Sequence, residues 1–147
     1  MSKKSNKTIQ GPATARLWLK LFRSFEKQLY DSLGDKGFDD ISSMHFNIIR
    51  HLDPTGLTVS ELAKDAGITK QAVGKIAGDL ADKGYLAIEQ SAEDRRVKYV
   101  NYTPKGEALL EQLIKQNIKI EKKYQKILGA ENYQQMREDL QRLLDNE

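Results

Sequence analysis

The sequence predicts a mainly α fold with a small β wing, and three observations lead to this prediction. Over most of the 147 residues, apolar residues recur at three- and four-residue spacing, the period of amphipathic helices. Two short segments, residues 85–88 and 97–102, alternate in part and are rich in β-branched or aromatic residues, as strands are. A charged loop, residues 91–96, joins them. We therefore expect helices arranged around one two-stranded hairpin.

The N-terminal residues 1–12 differ in composition from the rest of the chain. They include Lys3, Lys4 and Lys7 but no acidic residue. A polar segment with charge of one sign predicts a disordered basic tail. The remaining residues, 13–147, are enough for a sizeable core, and we predict a single domain there.

The first predicted helix spans about residues 13–33 and carries one long apolar stripe. The residues of the stripe are spaced by three and four. They are Leu17, Trp18, Leu21, Phe22, Phe25, Leu29 and Leu33. Gly34 is expected to end the helix, because glycine suits the left-handed position after a helix. The stripe is long and aromatic, so we expect it to need a partner surface.

A second helix is predicted with Ser42 or Ser43 as its cap and an end before Pro54. His45 and His51 lie on it, six residues apart, so they do not share a face as an i, i+4 pair would. The ordinary interpretation is one partly buried histidine and one exposed histidine, and we predict no metal site. The apolar residues of this helix are Met44, Phe46, Ile48, Ile49 and Leu52.

The next stretch predicts two short helices joined by a tight turn. Thr58 and Glu61 fit a capping box, in which each side chain bonds the backbone amide of the other residue. Gly67 suits the left-handed position after the first of these helices, and Thr69 can cap the second. The second helix has one apolar face and one polar face, and its first residues are polar. The apolar face comprises Val73, Ile76, Ala77 and Leu80.

This arrangement is the helix-turn-helix layout, in which the second helix enters the major groove of DNA. Gln71 can bond adenine in two places, and Lys70 and Lys75 can bond guanine or phosphate. Thr69 and the free amides of the first turn can hold a phosphate. Gly74 would let the backbone approach DNA closely. The alternative is that Gly74, like Gly78, lies on a solvated face.

The predicted hairpin follows directly, with Arg95 and Arg96 at its tip. Guanidinium groups suit phosphates or a narrow minor groove, so both arginines are candidate DNA contacts. Asp94 can pair with one of them and hold the loop in shape. A solvated hairpin tip is the alternative.

Two further helices are predicted beyond the hairpin. Thr103 can cap the first, with Pro104 at its first position, and this helix runs to about Leu128. Gly129 separates it from a last helix. The hairpin and the helix-turn-helix can form a closed core without either of these two helices. The apolar stripes of the two helices therefore favour packing against a second subunit. Packing within one chain is the alternative.

Composition limits the classes of function. The net charge of +3 is compatible with a polyanionic partner. Cysteine is absent, which excludes disulfides, thiolate metal sites and thiol redox sensing. We predict no cofactor and no catalytic residue, because no nucleophile–base pair, phosphate loop or metal cluster has convincing spacing. No apolar run approaches about 18 residues, and the N-terminus lacks a secretory signal core. We therefore expect no membrane association and a cytoplasmic protein.

The core resembles the winged helix-turn-helix of MarR-family transcriptional regulators. The specific part is Asp94-Arg95-Arg96 followed by Thr103-Pro104-Lys105-Gly106. Matches also occur at Leu62-Ala63, Ile68-Thr69, Val73, Leu80 and Lys83-Gly84-Tyr85-Leu86. The resemblance implies a core over about residues 41–104, flanked by dimerisation helices over about 13–33 and 104–147. One departure is the first wing strand, Ala87-Ile88-Glu89-Gln90, where the family often has an arginine.

The resemblance also implies a function and a ligand site. It implies a homodimeric regulator that binds a near-palindromic operator in double-stranded DNA, commonly a repressor released by a small aromatic or acidic effector. The alternative is a winged helix used for protein interaction without DNA binding. The implied effector pocket lies between the dimerisation helices and the core, and formation of ordinary core by the same residues is the alternative interpretation. Its candidate residues are Arg16, Trp18, Phe22, His45 and Ile49.

Overall fold

The structure, a computed structural model, describes residues 13–147. The predicted disordered tail, residues 1–12, lies outside the described residues. The helices are α1 Ala13–Asp31, α2 Phe46–Ile49, α3 Val59–Ala66, α4 Lys70–Asp82, α5 Pro104–Leu128 and α6 Ala130–Leu144, with a 3-10 turn at Gly34–Lys36. The strands are β1 Leu57–Thr58, β2 Leu86–Gln90 and β3 Lys98–Tyr102. This is the mainly helical fold with a small sheet that the sequence predicts.

The core lies where α2, α3 and α4 meet the sheet. Ile48, Leu62, Val73, Leu80 and Val100, one or two from each of these elements, have no exposed surface. Burying a side chain of this size contributes about 1.5–3 kcal/mol relative to leaving it exposed. The core therefore fixes α3 and α4 against the hairpin.

The sheet has three strands, not the two that we predicted. Its order is β1-β3-β2, and both pairings are antiparallel, with Leu57 opposite Val100 and Leu86 opposite Tyr102. β1 is only two residues long and runs directly into α3, because Thr58 is both its last residue and the cap of α3. No alternation can show in so short a segment.

The second helix is shorter than predicted, and neither Ser42 nor Ser43 caps it through its side chain. α2 spans only Phe46–Ile49, with turns on both sides. The backbone N–H of Ser42 donates to Nδ1 of the buried His45 at 2.9 Å. The histidine ring thus shapes the turn before α2, in the place where a serine cap was expected.

The end of α1 also differs from the prediction. The helix stops at Asp31, and Gly34 begins the 3-10 turn without adopting a left-handed conformation. Gly37 is the left-handed residue here, with φ of 86°. Leu33 is 1% exposed, so it joins the core from the turn and not from the helix.

Thr103 begins α5 as predicted, and this junction is tightly packed. Its hydroxyl accepts a hydrogen bond from Gly106 N–H at 3.1 Å and donates to the Gly84 carbonyl at 2.5 Å. A Cβ at Gly106 would lie 2.0 Å from the carbonyl oxygen of Tyr85. Only glycine therefore fits here, and the start of α5 is fixed to the chain that enters β2.

α1 packs along α5, but much of its apolar stripe is uncovered. Phe25 and Tyr124 face each other with ring centroids 6.4 Å apart. None of the residues of α1 is buried. The large apolar side chains left exposed on these helices include Leu17, Trp18, Leu21 and Phe22 on α1, Ile114, Ile118, Ile127 and Leu128 on α5, and Leu140, Leu143 and Leu144 on α6. Within residues 13–147, no helix combines the length and the apolar character that a membrane span requires.

Candidate nucleic-acid interface

Local hydrogen bonds build the helix-turn-helix as the sequence predicts. The Thr58 N–H donates to the Glu61 carboxylate at 2.8 Å, and the Glu61 N–H donates to the Thr58 hydroxyl at 3.1 Å. Gly67 is left-handed, with φ of 65°. The Thr69 hydroxyl then accepts from the Ala72 N–H at 3.1 Å. Each junction is thus set by residues at most three apart, which fixes where α4 begins.

α4 has one buried face and one exposed face. Val73 and Ile76 are buried together with Ala77 and Leu80. The predicted DNA-contacting residues of α4 and its cap are all exposed: they are Thr69, Lys70, Gln71, Gly74 and Lys75. A Cβ at Gly74 would have no atom within 4 Å, so this part of the helix backbone is open. The first half of α4 therefore presents two cations, an amide and bare backbone to solvent.

The wing tip is held in shape by Asp94, as predicted, and its partner is Arg96. The carboxylate of Asp94 accepts from the Arg96 backbone N–H at 2.9 Å and from its guanidinium at two atoms, each at 3.2 Å. These bonds hold the pKa of Asp94 below its usual value, so the carboxylate is ionised. Ser91 closes the loop, because its N–H donates to the Val97 carbonyl at 2.8 Å.

The two wing arginines have different surroundings, which the sequence did not distinguish. Arg96 uses its guanidinium to hold Asp94, although its side chain is 91% exposed. Arg95 is exposed and takes no part in that network. Arg96 therefore shapes the loop together with Asp94, and Arg95 takes no part in shaping it.

A contact that sequence reasoning missed joins α4 to the turn before α2. His45 is 3% exposed, and its Nε2 lies 2.6 Å from Oδ2 of Asp79 on α4. Lys83 also lies near this carboxylate, at 3.5 Å. The hydrogen bond from His45 is the main cause that lowers the pKa of Asp79. His45 and Asp79 are 34 residues apart, so local spacing carried no signal of the pair.

The residues of the predicted effector pocket do not meet in one place within the chain. Ile49 lines a cavity of about 230 Å³ between α1, α2 and α5, together with Phe46, Arg50 and other side chains. Phe22 lies under the guanidinium of Arg50, 5.3 Å from ring centroid to carbon.

The other three candidates lie elsewhere. His45 lines a separate groove beside Gly74 and Asp79 on α4. Arg16 and Trp18 are exposed on the first half of α1. The effector site therefore stays a prediction, and Arg50, which sequence reasoning did not select, is the cation nearest to the apolar cavity.

Comparisons with known proteins agree with this geometry. Residues 39–97 match the model of the MarR family. The HTH-type transcriptional regulator Hpr of Bacillus cytotoxicus is 31% identical over 104 residues, which make up 69% of this chain and 54% of that protein. The chain thus spans about half the length of this curated relative.

Solved structures share the fold over most of the chain. The crystal structure of MarR superposes with a TM-score of 0.74 at 19% identity, covering 91% of this chain and 96% of that one. NadR, solved in complex with 4-hydroxyphenylacetate, gives a TM-score of 0.66 at 21% identity, with 97% of each chain covered. At these identities the likeness establishes the fold, including the helices on both sides of the winged core.

Proposed function

Because the chain belongs to the MarR family, we propose that it regulates transcription by binding duplex DNA as a homodimer. The observation that carries the proposal is the first half of α4, where Lys70, Gln71 and Lys75 are exposed on a helix whose opposite face is buried. A helix with this arrangement fits the major groove, and its N-terminal side chains reach base edges first.

We propose different contacts for the amide and for the cationic side chains. Gln71 is the residue proposed to read a base, because an amide can bond adenine in two places. Lys70, Lys75 and Arg95 supply the positive charge that phosphates attract. The protein-interaction alternative has no comparable support, since charged residues are depleted at the centre of protein interfaces.

We propose that a second copy of the chain covers the exposed apolar faces of α1, α5 and α6. Monomeric proteins seldom leave so many large apolar side chains in solvent. Two copies related by a two-fold axis would present two α4 helices, which implies a near-palindromic operator with half-sites about 10 base pairs apart.

We propose the cavity between α1, α2 and α5 as the effector site. Its wall is mainly apolar, and Arg50 and Asn117 add polar groups. Arg50 is paired with Glu26 and stacked on Phe22. A small aromatic acid could bury its ring among the apolar side chains and exchange its carboxylate for that of Glu26. NadR, whose structure was solved with 4-hydroxyphenylacetate, has the same fold.

Repression released by such a ligand is the mode of regulation that we propose. A dimer on an operator excludes other proteins from that DNA. A ligand that prefers the DNA-incompetent state must lower the affinity for DNA by the same factor by which DNA lowers the affinity for the ligand. The proposals of repression and of a small effector are supported by the family. The proposal of DNA binding is supported by the exposed residues of α4.

The proposal is tested by recovering the DNA fragments of the source genome that the purified protein binds, and by gel shift with those fragments. We expect one near-palindromic sequence to be enriched and bound by a dimer. Recovery of no fragment above background, with the protein folded, would refute DNA binding and favour a protein partner.

A further inference from the structure

His45 lies in the turn before α2, buried to 3% exposure, and both of its ring nitrogens have partners. The Ser42 N–H donates to Nδ1 at 2.9 Å. Because Nδ1 accepts, the proton of the ring is on Nε2, which donates to Asp79 Oδ2 at 2.6 Å. One buried histidine thus ties the turn before α2 to the last third of α4.

The other contacts that α4 makes with the core are mainly apolar. They come from Val73, Ile76, Ala77 and Leu80. Apolar burial is non-directional, so it holds the helix against the core without strictly fixing its rotation about its own axis. A hydrogen bond requires its donor and acceptor to be aligned, and therefore adds a directional restraint.

This restraint acts on the part of α4 that would read DNA. Asp79 follows Gln71 by eight residues, which is about 12 Å along the axis of a rigid helix. A rotation or a slide of α4 at Asp79 is therefore transmitted to Gln71 and Lys75. The shift needed to misplace a base contact is small, because hydrogen bonds weaken steeply with distance and angle.

The same bond also controls where the Asp79 carboxylate lies. Its side chain is half exposed, and Lys75 and Lys83 lie one turn away on either side, with Lys83 at 3.5 Å. A carboxylate released from His45 would be able to turn toward Lys75 and compete with phosphate for that cation. Held by His45, it is directed toward the core side of α4.

We propose that His45 and Asp79 are positioning residues for DNA recognition, and that their hydrogen bond sets the rotation and axial position of α4. The proposal rests on the DNA-binding function proposed above. It gives His45 a role at α4, which is distinct from the lining of an effector pocket.

Three substitutions separate the hydrogen bond from the charge. His45→Asn keeps an acceptor for the Ser42 N–H but is too short to reach Asp79. Asp79→Ala removes the acceptor, and Asp79→Asn keeps an oxygen acceptor for the histidine while removing the charge. Asp35→Ala is the matched control, because it removes one negative charge from the exposed 3-10 turn, outside α4.

The measurement is the ratio of affinities for two duplexes. The first is the duplex that the wild-type protein enriches from a random-sequence library, and the second is a scrambled duplex of the same composition. We expect the ratio to fall on the order of tenfold in His45→Asn and in Asp79→Ala. The double variant should be no worse than either single one, since both remove one interaction. Asp79→Asn should keep most of the ratio, and Asp35→Ala all of it.

A merely structural role would lower the melting temperature and the folded fraction but leave the ratio of the folded protein unchanged, and that result would overturn the proposal. An equal loss in Asp79→Asn and Asp79→Ala would also overturn it, because charge and not the hydrogen bond would then be responsible. If the wild-type protein enriches no duplex, the DNA-binding function itself fails, which is a different result from an unchanged ratio in the variants.

Discussion

Two glycines of α4 leave the helix backbone without side-chain cover. Gly74 and Gly78 are both helical, and a Cβ at either would have no atom within 4 Å. Glycine costs a helix up to about 1 kcal/mol relative to alanine. No contact within the described residues explains this cost at either position. Under the proposed function Gly74 leaves room for DNA, whereas Gly78 lies farther along α4 and is only partly exposed.

Gly74→Ala should therefore stabilise the protein by up to about 1 kcal/mol and yet weaken DNA binding, because the new methyl group would lie between the helix and DNA. Gly78→Ala is the control, since it lies one turn further from the N-terminus of α4 and should stabilise without loss of affinity. Chemical denaturation and equilibrium DNA titration measure the two effects. Equal affinities in both variants would remove Gly74 from the interface.

At the wing, Arg95→Ala should shallow the dependence of log K on log salt by about one unit for each phosphate that the protein no longer binds. Arg95 is exposed and outside the Asp94–Arg96 network, so the fold should be unaffected. Lys36→Ala removes the same charge from an exposed turn and serves as the control. Identical salt slopes for the two variants would show that Arg95 does not contact phosphate.

The capping box of α3 predicts a pH dependence of stability. The backbone N–H and then the hydroxyl of Thr58 lower the pKa of Glu61 from its usual 4.5. A lowered folded-state pKa gives stability that is present above the unfolded-state value and is lost as pH falls through the folded-state value. The free energy of unfolding should thus differ most between wild type and Glu61→Ala above pH 4.5, and the difference should close in acid.

Ser60→Ala, at an exposed position of the same helix, is the control for this titration. Its difference from wild type should not depend on pH. A Glu61→Ala difference that persists or grows in acid would mean that the ionised carboxylate does not stabilise the cap.

Contacts within three residues of the chain were predictable, and contacts across the fold were not. Thr58, Thr69 and Thr103 cap helices as the sequence predicts, because a hydroxyl three residues before a free amide is a local pattern. The pair of His45 and Asp79 depends on how α4 packs against α2, and no spacing along the chain encodes that.

At the scale of elements, apolar periodicity predicted where the helices lie. It did not predict which surfaces pack against their apolar faces. α5 ends at Leu128 and α6 follows Gly129, as the sequence predicts. α2 was predicted too long because apolar residues continue through the turns on either side of it. β1 was missed because two residues show no period.

Ile127→Glu should block association of two copies without unfolding either one, since this side chain is 68% exposed in the single chain. In a dimer it would place an unpaired charge in an apolar interface, which is strongly unfavourable. Gln125→Glu adds the same charge about 200° around the helix and is the control. Sedimentation equilibrium gives the association constants, and an unchanged dimer in Ile127→Glu would exclude this end of α5 from the interface.

At the scale of the whole molecule, α5 connects the wing hairpin to the helices around the proposed effector cavity. Its first turn is fixed to the wing hairpin through Thr103 and Gly106, and its length packs against α1 and α6. The proposed effector cavity lies between α5, α1 and α2. A ligand there that changed the angle between these helices would move α4 through the same contacts, which is the physical basis for coupling in our account.

We propose that the exposed side of α4 reads a base sequence. This is tested by an equilibrium titration of the wild-type protein and Gln71→Ala with the enriched duplex, its single-base variants and a scrambled duplex. We predict that the wild type prefers the enriched duplex by on the order of 10³-fold or more. Gln71→Ala should lose about 1–3 kcal/mol of discrimination at one position of each half-site. Equal affinity of the wild type for the enriched and scrambled duplexes would contradict the claim.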